Sequence, residues 1–271
     1  MASEPATLTS PGTGTGRAPG ALQAVLFDMD GLLVDTEPLW LEVECDVVER
    51  MGGRWTEADQ MGLLGGSLEL AVTVLRARSP RPASREDVAR WLLDGMIALL
   101  ADRGVPLLPG AAELLADVRA AGMPHALVTS SERPIMEAVL AQIGAEFPAT
   151  VCGSDVRHRK PDPEPYLLAA SLLGADARYC VALEDSPNGV ASAEAAGCHV
   201  VAVPGLLPIP AADGRVVVGS LTEVSLPMLQ CLVGGEPGSG PGTRDEPPAC
   251  DEPPARVAPP PRDEPHPGER V

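Results

Sequence analysis

The chain has 271 residues, 45% of them hydrophobic but only 3% aromatic, so a buried core must be built from Ala, Val and Leu. Its 20 basic and 38 acidic side chains leave a formal charge of −18, a field that repels nucleic acid and anionic membrane and argues against both as partners. The same field repels a phosphate ester, so any phosphate site needs a local source of positive charge.

In chain order, the first 20 residues are small and polar, lack the apolar stretch of a secretory signal and read as disordered. The run Gly12-Thr13-Gly14-Thr15-Gly16 follows no strand-like segment, so it reads as linker and not as a phosphate-binding loop. Short apolar runs at Ala24–Phe27, His125–Val128, 150–152, 179–183, 199–203 and 215–218 predict buried parallel strands. Between them, 110–121, Arg133–Ile143, 163–173 and 187–196 carry helical patterns. This alternation predicts an α/β fold, a doubly wound parallel sheet of the Rossmann-like kind. Residues 39–103 break the rhythm: the pattern is helical with no strand, which predicts an all-helical insertion after the first strand. The expected organisation is therefore a core of 21–38 and 104–234, a helical cap of 39–103, and a final helix near 221–232. A Pro-rich acidic tail, 235–271, repeats RDEPP-like units and reads as disordered.

The six cysteines form no C-x-x-C pair and mostly sit in apolar runs, as reduced structural thiols do. The four histidines are scattered, which argues against zinc. The longest uncharged stretch, 195–212, is interrupted by Pro204, Pro208 and Pro210 and reads as strand and loop, not as a membrane span. A cytoplasmic, monomeric protein is expected.

In an open parallel sheet, ligands bind beyond the carboxyl ends of the strands. The first strand runs into Asp28-Met29-Asp30-Gly31, two carboxylates at a buried strand end, which repel unless a cation or a shared proton compensates. A divalent metal is the economical answer. The second ends in Thr129-Ser130-Ser131, hydroxyls and amides suited to phosphate oxygens, although Ser131 before Glu132 and Pro134 also reads as a helix cap. The third is followed by Lys160-Pro161-Asp162-Pro163, and the fourth by Glu184-Asp185-Ser186-Pro187-Asn188-Gly189, with Ser186 as an N-cap. Acidic, hydroxyl, basic and acidic groups in one pocket suit metal-assisted phosphoryl transfer. Lys160 is the only lysine among the 20 basic residues. A compact ammonium is not interchangeable with a guanidinium at a tight site, so its position reads as functional. Arg157 and Arg159 read as solvated surface.

The segment Asp28-Met29-Asp30-Gly31-Leu32-Leu33-Val34-Asp35-Thr36-Glu37, with the three motifs that follow it, resembles the haloacid dehalogenase-like hydrolase superfamily. In particular it is similar to the β-phosphoglucomutase-like branch, over about 210 residues. The resemblance implies Asp28 as nucleophile, Asp30 as general acid and base, and Lys160 as the cation neutralising Asp28 and phosphate. It implies Thr129 and the Ser130 amide as holders of the phosphoryl oxygens. It also implies Mg2+ held by Asp28, the Asp30 carbonyl and Asp185, with Glu184 a ligand or the partner of one. A small phosphate ester is the implied substrate.

Phosphomutase relatives tend to carry a His shortly after the first motif and an Arg in the cap loop. Here Trp40 stands where the His is expected, and residues 63–68 contain no Arg, so a mutase is disfavoured. Asp30 disfavours dehalogenation. Leu63, Leu64 and Leu68 with Trp40 are expected to present an apolar lid. The alternatives are a phosphosugar mutase and a non-catalytic phosphometabolite-binding module.

Overall fold

A computed structural model of the protein describes residues 20–234. The expected disorder of the N-terminal segment and of the 235–271 tail falls on residues outside the described ones, as does the reading of the Gly12–Gly16 run. Six strands, β1 (Ala24–Phe27), β2 (His125–Val128), β3 (Ala149–Val151), β4 (Cys180–Glu184), β5 (His199–Ala202) and β6 (Arg215–Val217), form one parallel sheet in the order β3-β2-β1-β4-β5-β6. Between β1 and β2 lie α1 (Glu37–Arg50), α2 (Glu57–Gln60), α3 (Leu68–Ala77), α4 (Arg85–Arg103) and α5 (Ala111–Ala120). The remaining helices are α6 (Arg133–Ile143), α7 (Glu164–Leu172), α8 (Pro187–Ala195) and α9 (Leu226–Gly234).

Alternation along the strands divides the core into two layers. Val25 and Phe27 of β1, with Leu127, Val181 and Leu183, face a cluster filled by α5, α6, α9 and the helices after β1. Ala24 and Leu26, with Ala126, Val128 and Ala182, face a second cluster filled by Tyr166, Ala169 and Ala170 of α7 and Val190 and Ala193 of α8. The small residues on that second face let α7 and α8 approach the sheet closely. No helix among the described residues is long and apolar enough to cross a membrane.

The segment between β1 and α5 is helical throughout. Ser67 and Ser84 cap α3 and α4, accepting from the amides of Leu70 and Asp87 at 3.3 and 3.0 Å. Val88, Leu92, Met96 and Leu100, one per turn of α4, are fully buried. The two connections to the sheet run side by side: Val34 bridges Leu107, and the Leu108 amide donates to the Leu33 carbonyl at 2.9 Å.

The expected final helix is broken. Residues Leu221–Glu223 form a 3-10 turn, with Ser220 Oγ accepting from the Thr222 amide at 3.2 Å, and α9 starts afresh at Leu226 with Pro227 in its first turn. Tyr179 closes another 3-10 turn, which moves β4 along by one residue and brings Glu184 into the strand. The expectation of a buried sixth strand is corrected: β6 is the sheet edge and is partly exposed. Cys45, Cys152, Cys180 and Cys198 are free thiols, as expected.

Leu92 has no exposed surface and no polar alternative to its packing. Leu92→Ala should lower unfolding free energy by about 2–5 kcal/mol, measured by urea denaturation.

Candidate active site

The carboxyl ends of β1, β2 and β4 adjoin, because β1 pairs with both other strands in register. Asp28 follows β1 directly and its amide continues the ladder, donating to the Leu183 carbonyl at 3.1 Å. Lys160, at the head of the turn before α7, reaches into this junction with its side chain only 3% exposed. Its Nζ donates to Asp28 Oδ1 at 2.5 Å, Glu184 Oε1 at 2.6 Å and the Val128 carbonyl at 2.8 Å. Burial pulls the ammonium's pKa down, but Asp28 and Glu184 outweigh it and leave it above that of an ordinary lysine. The Tyr166 hydroxyl donates to the same Glu184 oxygen, and the Lys160 ammonium lies 5.1 Å from the centre of its ring. Burial and the Glu184 and Asp28 charges push the phenol well above its usual range, so it stays a donor.

Burial pushes the Asp28 carboxyl well up. Lys160 pulls it back, and Glu184 and Asp30 add to the rise. Asp185 is raised well above its range too, by burial and then by Asp28 and Glu184. Oxygens of Asp28, Glu184 and Asp185 lie within 4.8 Å of one another, and the Asp185 carboxylate accepts no hydrogen bond among the described residues. A hard, crowded and undercompensated oxygen set of this kind fits a divalent cation. Two glycines make the room. A Cβ at Gly31 would lie 2.2 Å from Asp185 Oδ2, where φ is +80° as well, and one at Gly189 would lie 1.9 Å from Glu184 Oε2.

Asp30 is held by three hydroxyls. Thr36 Oγ1 donates to Oδ1 at 2.7 Å, while Thr129 Oγ1 and Ser131 Oγ donate to Oδ2 at 3.1 and 2.8 Å. Ser131 is therefore not the helix cap; Glu132 occupies that place. Ser130 lines the cleft, and its carbonyl accepts from Arg159 at 3.0 Å. Ser186 does cap α8, accepting from the Gly189 amide at 3.2 Å.

The structure brings Asp28, Asp30, Thr129, Ser130, Lys160 and Asp185 together around one cleft, with Glu184 buried behind Lys160. Across the cleft stand Trp40, Leu63, Leu64 and Leu68, as expected of a lid, but also Glu37, Glu44 and Gln60. The purely apolar lid is thus corrected. Glu37, Trp40 and Glu44 follow the i, i+3, i+7 spacing of one helix face, the signal that could have found the two acids. Burial lifts the Glu37 carboxyl to about 7, helped by Asp30, Glu44 and Asp35. Burial lifts Glu44 to about 7 as well, against the pull of the Trp55 indole N–H, which donates to it at 2.9 Å.

Arg157 is exposed, as expected, but Arg159 is not plain surface. It binds Glu132 at 2.6 Å and reaches Glu69 of α3 at 3.1 Å. Asn188 Nδ2 donates to the Gly65 carbonyl at 3.2 Å. Two contacts therefore tie the sheet's motif loops to the helical insertion. Both pair residues more than 80 positions apart, beyond any local pattern.

Residues 22–197 match the family of haloacid dehalogenase-like hydrolases. The chain belongs to that family. It is 34% identical to hexitol phosphatase B of Escherichia coli K12 over 78% of this chain and 96% of that protein. The crystal structure of CbbY from Rhodobacter sphaeroides in complex with phosphate superposes with a TM-score of 0.70 at 29% identity, over 77% of this chain and 99% of that one. The β-phosphoglucomutase of Clostridium difficile shares the fold, with a TM-score of 0.67 at 20% identity over 78% and 97% of the chains. Within the family the chain falls in the β-phosphoglucomutase-like branch, with its helical cap, and it is a phosphoric monoester hydrolase.

Glu44 makes stability depend on pH with a definite sign. Its folded-state carboxyl, raised to about 7, binds its proton more tightly than in the unfolded chain, where it titrates at ~4.3. Its stabilising share is present at low pH and is lost as pH rises from about 4 to about 7. Urea denaturation of wild type and Glu44→Gln should show the wild-type advantage shrinking from pH 5 to pH 7 and staying constant above pH 8.

Proposed function

We propose that the chain is a Mg2+-dependent phosphatase that hydrolyses a small phosphate monoester, a sugar phosphate or similar metabolite, through an aspartyl phosphate on Asp28. The observation that carries this reading is the buried Lys160 ammonium on the Asp28 carboxylate, with Asp30 two residues away. A carboxylate is a poor nucleophile towards an anionic ester, and Lys160 offsets that repulsion at the attacking oxygen's own group. The relatives support the substrate class, being hexitol phosphatase and a protein crystallised with phosphate.

Asp28 attacks phosphorus as the ester P–O bond breaks, and Asp30 gives its proton to the departing alkoxide. Water then attacks the aspartyl phosphate and yields a proton to Asp30, which releases inorganic phosphate and restores Asp28. Thr129 and the Ser130 amide hold the phosphoryl oxygens. A hydroxyl has one proton to donate, so Thr129 leaves Asp30 when it turns to phosphate. Thr36 keeps Asp30 aimed while that exchange frees it for the leaving oxygen. Asp28 and Asp185, with the Asp30 carbonyl, would hold Mg2+, and Glu184 stands behind them fixing Lys160. When bound, the ion neutralises phosphate charge and polarises its oxygens.

Residues 39–103 act as the cap over a core of 21–38 and 104–234, and they choose the ester. Lys160 is the single cationic residue lining the cleft among the described residues, and it lies on the phosphoryl side. A second phosphate finds no cation in the cap, which favours monophosphates over bisphosphates and phosphatase over mutase chemistry.

Asp28→Asn should cut turnover of p-nitrophenyl phosphate at least about a thousandfold while keeping the fold. Chelation should stop the wild type, and Asp185→Ala should raise the Mg2+ needed for half activity. Turnover in Asp28→Asn within tenfold of wild type would overturn the covalent route.

A further inference from the structure

The wall of the cleft facing the phosphoryl site holds two polar side chains that the proposed chemistry does not use. Glu44 is 3% exposed and Gln60 is 6% exposed, yet both line the cleft. Glu44 Oε2 accepts from the Trp55 indole, and its Oε1 has no hydrogen-bond partner among the described residues. Gln60 donates through Nε2 to the Glu37 carbonyl at 3.0 Å and, at 3.4 Å, to the Glu37 carboxylate. Those two bonds fix the amide's orientation and leave Gln60 Oε1 without a donor among the described residues. Two acceptor oxygens thus line the cleft without protein partners, open to its solvent and able to take donors from a ligand.

Helix α1 sets the reach of this pair. Glu37, whose carboxyl feels Asp30, lies seven residues before Glu44, so Glu44 stands roughly 10 Å further along the helix. A substrate held at Asp28 by its phosphate needs a chain of several carbons to arrive there. Trp40, between the two acids on the same face, offers an apolar surface to such a chain. Above pH 7, where Glu44 is mostly ionised, an anionic end is repelled by it, and an apolar end leaves both oxygens unpaired. Neutral hydroxyls satisfy both.

We propose that Glu44 Oε1 and Gln60 Oε1 form a hydroxyl-binding subsite that selects the monophosphate of a polyhydroxylated carbon chain. The proposal rests on the phosphatase reading for its catalytic test but not for its binding test. Glucitol 6-phosphate serves as the probe. Hexyl phosphate has the same chain without hydroxyls, and 6-phosphogluconate carries a carboxylate at the far end. In Glu44→Gln the amide can still accept from Trp55, but it can turn an N–H2 donor to the cleft in place of Oε1.

Wild type should favour glucitol 6-phosphate over both other esters in kcat/KM. Glu44→Gln should shrink its preference over hexyl phosphate about tenfold, the worth of one hydrogen bond. Gln60→Leu should shrink it similarly. Dissociation constants measured by calorimetry in the Asp28→Asn background should move by the same ratio. If wild type hydrolyses the esters without preference, or if the ratio survives both substitutions, the subsite is wrong and the phosphatase stands. If wild type hydrolyses none while the binding ratio still falls in Glu44→Gln, the subsite stands and the phosphatase reading fails. Preference for 6-phosphogluconate overturns the proposal.

Discussion

Four carboxylates, Asp28, Asp30, Glu184 and Asp185, converge where β1 and β4 end, and one buried ammonium answers them. Lys160 touches Asp28, Glu184 and the Val128 carbonyl at once, so it binds the ends of three neighbouring strands together. An unpaired charge at that depth costs several kcal/mol, so the ammonium and its carboxylates must be present together or not at all. Much else follows from this constraint. Tyr166 is fully buried so that its hydroxyl can reach Glu184, and Gly189 leaves the space that the carboxylate fills. The charge that Lys160 does not answer, at Asp185, is the opening for a divalent cation.

Beside this fixed arrangement the hydroxyls around Asp30 can be redistributed. Thr36, Thr129 and Ser131 each point a proton at one carboxylate, and two of them stand at the end of β2 where a phosphoryl group would compete for them. In the proposed reaction, ground-state order and chemistry therefore draw on the same donors. Such a site is organised before substrate arrives and needs only short rotations of side chains to respond to it.

The helical insertion meets the core through α1, which starts only a few residues after Asp30. One helix therefore carries both the hydroxyl-flanked entry to the site and, two turns on, the far wall of the cleft. The Arg159–Glu69 and Asn188–Gly65 contacts close the opposite side. In the proposed function, substrate choice falls to this one face of α1 and the loop of residues 63–68, while the strand ends touch only what every substrate shares.

Much of this was legible in the sequence. Strand-helix alternation is a local pattern, and it located five of the six strands as buried. The motif residues were found because each follows an apolar run, and parallel strands bring their carboxyl ends to one edge. The lone lysine stood out by composition alone. Tertiary structure decided what depends on distance through space. Ser131 turned from helix cap to Asp30 donor because β1 and β2 are neighbours in the sheet. Arg159 left the solvent because Ser130 and Glu132, beyond the end of β2, hold it, and Glu69, 90 residues earlier in the chain, meets it from the helical insertion. Whether Glu44 is solvated or buried in the cleft cannot be read from α1 alone, because helical spacing gives a face but not its neighbour. Trp55 and Gln60, brought to that face by the turn after α1, made it a wall of the site.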